Sequence, residues 1–273
     1  MAIFKTNGVK IYYEDIGNKE SNHCIAFFNG VAANTSSWGL IYPLLEKLGW
    51  RVILHDFKGQ LKSDKPKGDY TFKEHADEAR ALFEHLGISK IHIVGTSYGG
   101  EVAMKFAMTH PDAVSSITVI NSVSELDFVL TAFVTDWKRL ARIGDAETFL
   151  LGMIPSVYGA AYLANHYDAL IKRAKSASNL LTTEFFEGQQ RLYDTFLNDV
   201  NMTNELHKIN CPTLIIGSEQ DILKPVKFSK IIADNIPQSE YITIPDCGHA
   251  AFLERPEILK SMILGFVMKQ NVE

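Results

Sequence analysis

Short apolar runs alternate with helical stripes along the first 120 residues. Cys24 to Phe28, Arg51 to Leu54, Ile91 to Val94 and Ile117 to Ile120 are four such runs, and they stop at Asn29-Gly30, His55-Asp56, Gly95 and Asn121. Runs of this length predict strands buried on both faces. Val9 to Asp15 carries β-branched and aromatic residues and follows Asn7-Gly8, a hairpin signal. Between the runs, Phe72, Ala76, Ala79, Phe83 and Leu86 recur at spacings of four, three, four and three, which predicts an amphipathic helix. Thr71 and Glu74 form a capping box at its start, and Gly87 suits a left-handed exit. Strand, helix and strand repeated in this way predict a parallel sheet with helices on its faces.

The alternation breaks after Ile120. Residues 123–206 show no clear strand, and aromatic residues from Phe128 and Phe133 through Trp137, Tyr158, Tyr167 and Phe196 recur at helical spacing. Strand-like runs resume at Thr213 to Ile216 and Tyr241 to Ile244. A last helix opens at Pro256, with a stripe of Ile258, Leu259, Met262, Ile263 and Phe266. The pattern therefore divides the chain into a sheet domain, 1–122 with 207–273, and a helical insertion, 123–206.

Composition narrows the class. With 46% hydrophobic and 22% charged residues, the 273-residue chain reads as an ordinary globular protein, not a disordered chain, fibre or coiled coil. A chain of this length buries about three-quarters of its unfolded surface, enough for a sizeable core. Lys plus Arg is 27 and Asp plus Glu is 32, a net charge of −5, which gives no footprint for nucleic acid or an anionic membrane. No apolar stretch reaches membrane-spanning length, and the first residues lack the pattern of a signal peptide. Cys24, Cys211 and Cys247 offer neither a disulfide framework nor a CxxC zinc site, so a reducing cytoplasm and no bound metal are expected.

Gly95-Thr96-Ser97-Tyr98-Gly99-Gly100 fits G-x-S-x-G between a strand and a helix. A sharp strand-to-helix turn exposes the serine hydroxyl at its apex, and small neighbours let helix and strand approach closely. The helix N-terminus favours negative charge there. The segment lacks the Lys-Ser/Thr ending of a phosphate-binding loop.

A serine hydroxyl needs a base. Among nine histidines, His249 follows the last strand, in a loop that faces the same crevice as Ser97. His75 and His85 are placed on the charged side of their helix, His110 at a helix end and His92 inside a strand. The base needs an orienting acid. Asp221 follows the strand at Thr213, in the serine–acid–histidine order, with Glu219, Asp246 and Glu125 as rivals.

On Gly95 to Gly100, Asp221, Gly248-His249 and Phe28-Asn29-Gly30 with Trp38, the chain resembles α/β-hydrolase fold proteins over nearly its whole length. The resemblance implies a mostly parallel eight-stranded sheet flanked by helices. It implies Ser97 as nucleophile, His249 as base, Asp221 as acid, and an oxyanion hole of the Val31 and Tyr98 backbone N–H groups. It also implies that the insertion is a mobile helical cap that roofs the site and sets substrate choice. Asn29 stands where many members have histidine, at a position whose side chain braces the loop, and is similar to 3-oxoadipate enol-lactonases. Lys58 and Leu61 replace Arg and Gly of the segment Asp-x-Arg-Gly-x-Gly-x-Ser, a loop variation. Haloalkane dehalogenases and epoxide hydrolases of this fold carry aspartate where Ser97 stands. The expected activity is hydrolysis of a small carboxylic ester or lactone without metal or organic cofactor. A C–C bond hydrolase, a cofactor-free haloperoxidase, an acyltransferase and a receptor or signalling protein that retains the triad stand beside it as alternatives.

Overall fold

Asn7 and Gly8 both take positive φ, 49° and 77°, and reverse the chain between Ala2–Thr6 (β1) and Val9–Gly17 (β2), which pair antiparallel. The structure is a computed structural model that describes residues 2–177 and 181–270. Cys24–Phe28 (β3), Arg51–His55 (β4), Ile91–Thr96 (β5), Val114–Ile120 (β6), Thr213–Ser218 (β7) and Ser239–Ile244 (β8) complete one sheet of eight strands. Its order is β1-β2-β4-β3-β5-β6-β7-β8. β2 joins β4 antiparallel, and every later pairing is parallel.

Ten α-helices are described: Tyr42–Lys47 (α1), Phe72–His85 (α2), Tyr98–Thr109 (α3), Phe128–Ile143 (α4), Ala146–Val157 (α5), Ala160–Ser176 (α6), Thr183–Asp199 (α7), Val226–Asn235 (α8), Ala251–Glu254 (α9) and Pro256–Lys269 (α10). The capping box of α2 forms as expected. Thr71 Oγ1 accepts from the Glu74 N–H at 3.1 Å, and Glu74 Oε2 accepts from the Thr71 N–H at 2.8 Å. Gly87 leaves the helix at φ 71°.

Alternate residues of a strand face opposite sides of a sheet. Ala26 and Phe28 of β3 join the core formed with α2, α3 and α8, whereas Ile25 and Phe27 join the one formed with α1 and α10. Both faces are covered, so every residue of β3, β4, β5 and β7 is buried. That explains their unbroken apolar runs. β1 and β8 lie at the sheet's edges, β1 alternating between half-buried and exposed positions and β8 buried only at Ile244, which is why β1 carries no apolar run and β8 begins two residues before its own.

Between β6 and β7 all the regular elements described are helical. α4 packs on α5 and α7, and α5 on α6. Leu130, Val134, Trp137 and Ala141 form the packed stripe of α4. Phe128, counted with the helical aromatics in the sequence, precedes that stripe and stands 95% exposed. His75 also departs from expectation. Its ring is buried among Phe57, Tyr70 and Tyr98, at centroid distances of 5.0, 5.9 and 5.6 Å, because the loop after β4 and the start of α3 cover that side of α2.

β4 lies on one side of β3 and β5 on the other. Loops leaving the carboxyl ends of β3 and β5 therefore diverge and leave a crevice, the usual ligand position of such sheets. Here α3 crosses the strands so closely that a Cβ on Gly99 would collide with the Phe28 carbonyl. Gly99→Ala should cost at least about 3 kcal/mol in urea unfolding, because backbone cannot yield as a side chain can. Gly265→Ala, within α10 and with nothing within 4 Å of the new methyl, should instead gain about 0.5–1 kcal/mol.

Candidate active site

Ser97 sits between β5 and α3 with φ 53° and ψ −122°, a conformation that L-residues rarely adopt. Holding such a residue costs about 1–3 kcal/mol, so its surroundings must enforce it. They do so from three sides. The Ser97 N–H donates to the Ile120 carbonyl at 2.8 Å, and the Ser97 carbonyl accepts from the Gly100 N–H at 2.8 Å and the Ser122 hydroxyl at 2.9 Å. A Cβ on Gly95 would strike the Gly99 carbonyl, and one on Gly100 would strike Ser122 Oγ. The glycines of the motif thus make room for a turn that throws the serine side chain outward.

His249 Nε2 lies 2.9 Å from Ser97 Oγ, and His249 Nδ1 lies 2.7 Å from Asp221 Oδ2. A carboxylate only accepts, so it fixes the imidazole proton on Nδ1 and leaves the Nε2 lone pair facing the serine hydroxyl. The acid is itself held: Asp221 Oδ1 accepts from the N–H groups of Leu223 at 2.9 Å and Lys224 at 2.8 Å. Its rivals are engaged elsewhere. Glu219 accepts from the Asp246 N–H, Asp246 from Gln220 Nε2, and Glu125 from the Thr203 hydroxyl. The histidine loop is anchored to the inserted helices. The His249 N–H donates to the Val157 carbonyl at 2.8 Å, and Glu254 Oε2 accepts from the N–H groups of Gly248 at 2.8 Å and Gly159 at 3.1 Å.

Neither the Val31 nor the Tyr98 N–H donates a hydrogen bond to any described protein group. Both residues line a recess with Ser97. The Gly30 carbonyl accepts from Gln60 Nε2 at 2.8 Å and from the Ala33 N–H at 3.0 Å. Because a trans peptide points its N–H opposite its C=O, this anchors the direction of the Val31 N–H. Gln60 is fixed in turn by the Phe57 N–H at 2.9 Å and Asn29 Nδ2 at 3.0 Å. Asn29 also donates to the His55 carbonyl at 2.8 Å and accepts from the Trp38 indole at 2.9 Å. Asn29 thus braces the loop as expected, and the direct contact is made by Gln60, which the sequence did not single out. Lys58, at the family's arginine position, pairs with Glu78 at 2.9 Å and Glu74 at 3.3 Å.

At Ser97 and His249 opens a chamber of about 540 Å³ walled partly by Phe149, Ile154, Val157 and Phe185 of the inserted helices and partly by the loop after β3 and the segment after His249.

A buried ion pair lies beneath the site. Lys224 Nζ donates to both oxygens of Glu101, at 2.9 and 3.0 Å, and the Val123 N–H donates to the same carboxylate at 2.8 Å. Burial pushes the Glu101 carboxyl up and the Lys224 ammonium down, and each opposes the shift of the other. The pair ties α3, the start of the insertion and the Asp221 loop together. Lys224→Met should cost about 3–5 kcal/mol by stranding the carboxylate. In a urea double-mutant cycle, adding Glu101→Gln should recover more than about 1 kcal/mol of that loss.

The chain matches the family described as alpha/beta hydrolase fold over residues 25–256. It superimposes on MGS-M2, an alpha/beta hydrolase enzyme from a Medee basin deep-sea metagenome library, with a TM-score of 0.92 and 30% identity, covering 97% of this chain and 96% of that one. The enol-lactonase from Burkholderia xenovorans LB400 shares the fold at a TM-score of 0.84 and 20% identity, covering 98% of this chain and 100% of that one. A provisionally assigned carbamate hydrolase, RutD of Pantoea ananatis (strain LMG 20103), is 24% identical over 268 residues, which span 95% of this chain and 94% of RutD. A family match across most of the sheet and the whole insertion, on strands in the order described, makes this chain a member of the α/β hydrolase fold family.

Proposed function

We propose that the protein is a serine hydrolase of carboxylic esters, lactones included, in which Ser97, His249 and Asp221 form the catalytic triad and residues 123–206 form a cap over it. The observation that carries this reading is the unbroken chain Asp221 Oδ2, His249 Nδ1, His249 Nε2 and Ser97 Oγ, linked at 2.7 and 2.9 Å.

Ser97 Oγ attacks the carbonyl carbon while its proton passes to His249 Nε2. The imidazolium that forms is balanced by Asp221. The carbonyl oxygen becomes an oxyanion that accepts from the Val31 and Tyr98 N–H groups, each donor of this kind contributing about 3 kcal/mol. Collapse breaks the bond to the alcohol oxygen, which takes the proton from Nε2. Water, deprotonated by the same nitrogen, then releases the acid and restores the serine. Every proton is moved by His249, so no step calls for a metal or an organic cofactor. A carbamate, the substrate type in the name of the RutD relative, presents the same kind of acyl carbon. Asn29 gives the lean toward lactones its sequence basis. A cytoplasmic setting is supported by the three cysteines, all of them free thiols.

Intact-protein mass spectrometry should show one fluorophosphonate adduct per chain, absent in Ser97→Ala. Labelling that survives this substitution removes Ser97 as nucleophile. Asp221→Asn should lower the turnover of p-nitrophenyl esters at least about a hundredfold with little change in melting temperature, since the wrong tautomer is presented to the serine. Glu219→Gln and Asp246→Asn should leave it near wild type, and the opposite ranking would reassign the acid.

A further inference from the structure

Two cavities of unequal size meet at Ser97. One is the chamber of about 540 Å³, and the other is a slot of about 20 Å³, room for little more than one water. Ser97, Val31 and Trp137 line both, but His249 lines only the chamber. We propose that this asymmetry fixes which side of the ester can be large: the slot takes a short acyl group of about acetyl size, and the chamber takes a bulky apolar alcohol. The inference rests on the ester-hydrolase reading above and deepens it.

Attack by Ser97 Oγ leaves four groups on the reacting carbon: Oγ, the oxyanion, the alcohol oxygen and the acyl substituent. The oxyanion is directed to the N–H groups of Val31 and Tyr98. The alcohol oxygen must receive its proton from His249 Nε2 as its bond to carbon breaks, so it has to leave on the side where His249 stands. That side is the chamber. The acyl substituent takes the remaining direction, into the slot.

The slot resists enlargement. Leu130 and Val134 of α4 and Tyr193 and Phe196 of α7 wall it, all buried. Lys224 also lines it, with an ammonium already held by Glu101 and lying 4.5 Å from the centroid of the Phe196 ring. Trp137 is the partition. Its indole N–H donates to the Ser156 hydroxyl at 3.2 Å, which donates to the Met153 carbonyl at 3.1 Å, so the ring cannot swing aside without losing a buried hydrogen bond. The chamber's lining is mainly apolar, with Met153 of α5, Leu170 of α6 and Phe185 of α7 beside Leu61, Phe252 and Leu253, and its few charged residues are Lys62 and Arg173, which suits an alcohol with a long or bulky hydrocarbon part.

Octyl acetate and ethyl octanoate are isomers that differ only in which side of the ester is long, so their comparison isolates the effect. Wild-type protein should hydrolyse octyl acetate with kcat/KM at least about tenfold above ethyl octanoate, as methylenes that a pocket cannot admit are rejected on that scale. Trp137→Ala should shrink the ratio at least about threefold by opening the partition. Leu130→Ala, a smaller change in the same wall, should shift it the same way. Equal rates in the wild type, or ethyl octanoate the faster, would overturn the inference while leaving ester hydrolysis standing. An unchanged ratio in both variants, each with a cooperative melt, would also overturn it. Hydrolysis of neither ester would remove the underlying reading and this inference with it.

Discussion

Everything at the site hangs on one peptide held in an unfavourable conformation. Ser97 can keep φ at 53° only because β5, β6 and α3 converge on it, and they can converge only because Gly95, Gly99 and Gly100 have no side chains to keep them apart. The hydrogen bonds that hold Ser97 are contributed by Ile120 and Ser122 at the end of β6, and the carbonyl that Gly99 abuts belongs to Phe28 at the end of β3. Three neighbouring strands must therefore be in register before the serine side chain is correctly aimed. Parallel pairing of β3, β5 and β6 supplies that register, and burial of both sheet faces stabilises it.

A second layer of constraint fixes what faces the serine. Asp221 is held by two backbone N–H groups of its own loop, and the Gly30 carbonyl by Gln60 within a buried network that includes Asn29 and Trp38. These are donors and acceptors with little freedom to rearrange, which is what preorganised stabilisation of a developing charge requires. The histidine loop differs in depending on the insertion, through Val157 and Gly159.

Much of this was legible in the sequence, for physical reasons that also mark where reading stops. Strands covered on both faces are mainly apolar, so β3 to β7 announce themselves by apolar runs, whereas an edge strand such as β1 has no such obligation. Ser97, Asp221 and His249 each stand in a loop after a strand, and the topology brings those loops together whatever lies between. Helix sidedness misleads when another element covers the polar side, as Phe57, Tyr70 and Tyr98 cover His75. Gln60 and the Glu101–Lys224 pair carry no telling local pattern, since Gly30, whose carbonyl Gln60 holds, lies far from it in the chain, as Glu101 and Lys224 lie from each other. The available signals were faint: a glutamate in the mostly apolar first turns of a helix, and a lysine set between Leu223 and Pro225.

The insertion reaches the histidine loop through main-chain atoms. Its hydrogen bonds toward that loop come from the backbone of Val157 directly and of Gly159 through the Glu254 carboxylate, not from side chains of α4 to α7. The side chains of those helices shape the two cavities, while the groups that hold Ser97, Asp221 and His249 in place are backbone atoms or lie elsewhere in the chain. Heritable changes in the walls that α4 to α7 contribute and heritable changes in the proposed reaction centre thus fall on different codons. On the proposed reading, a lineage of such proteins drifts from one substrate to another by replacing wall residues one at a time, with the proposed triad passed on intact at each step.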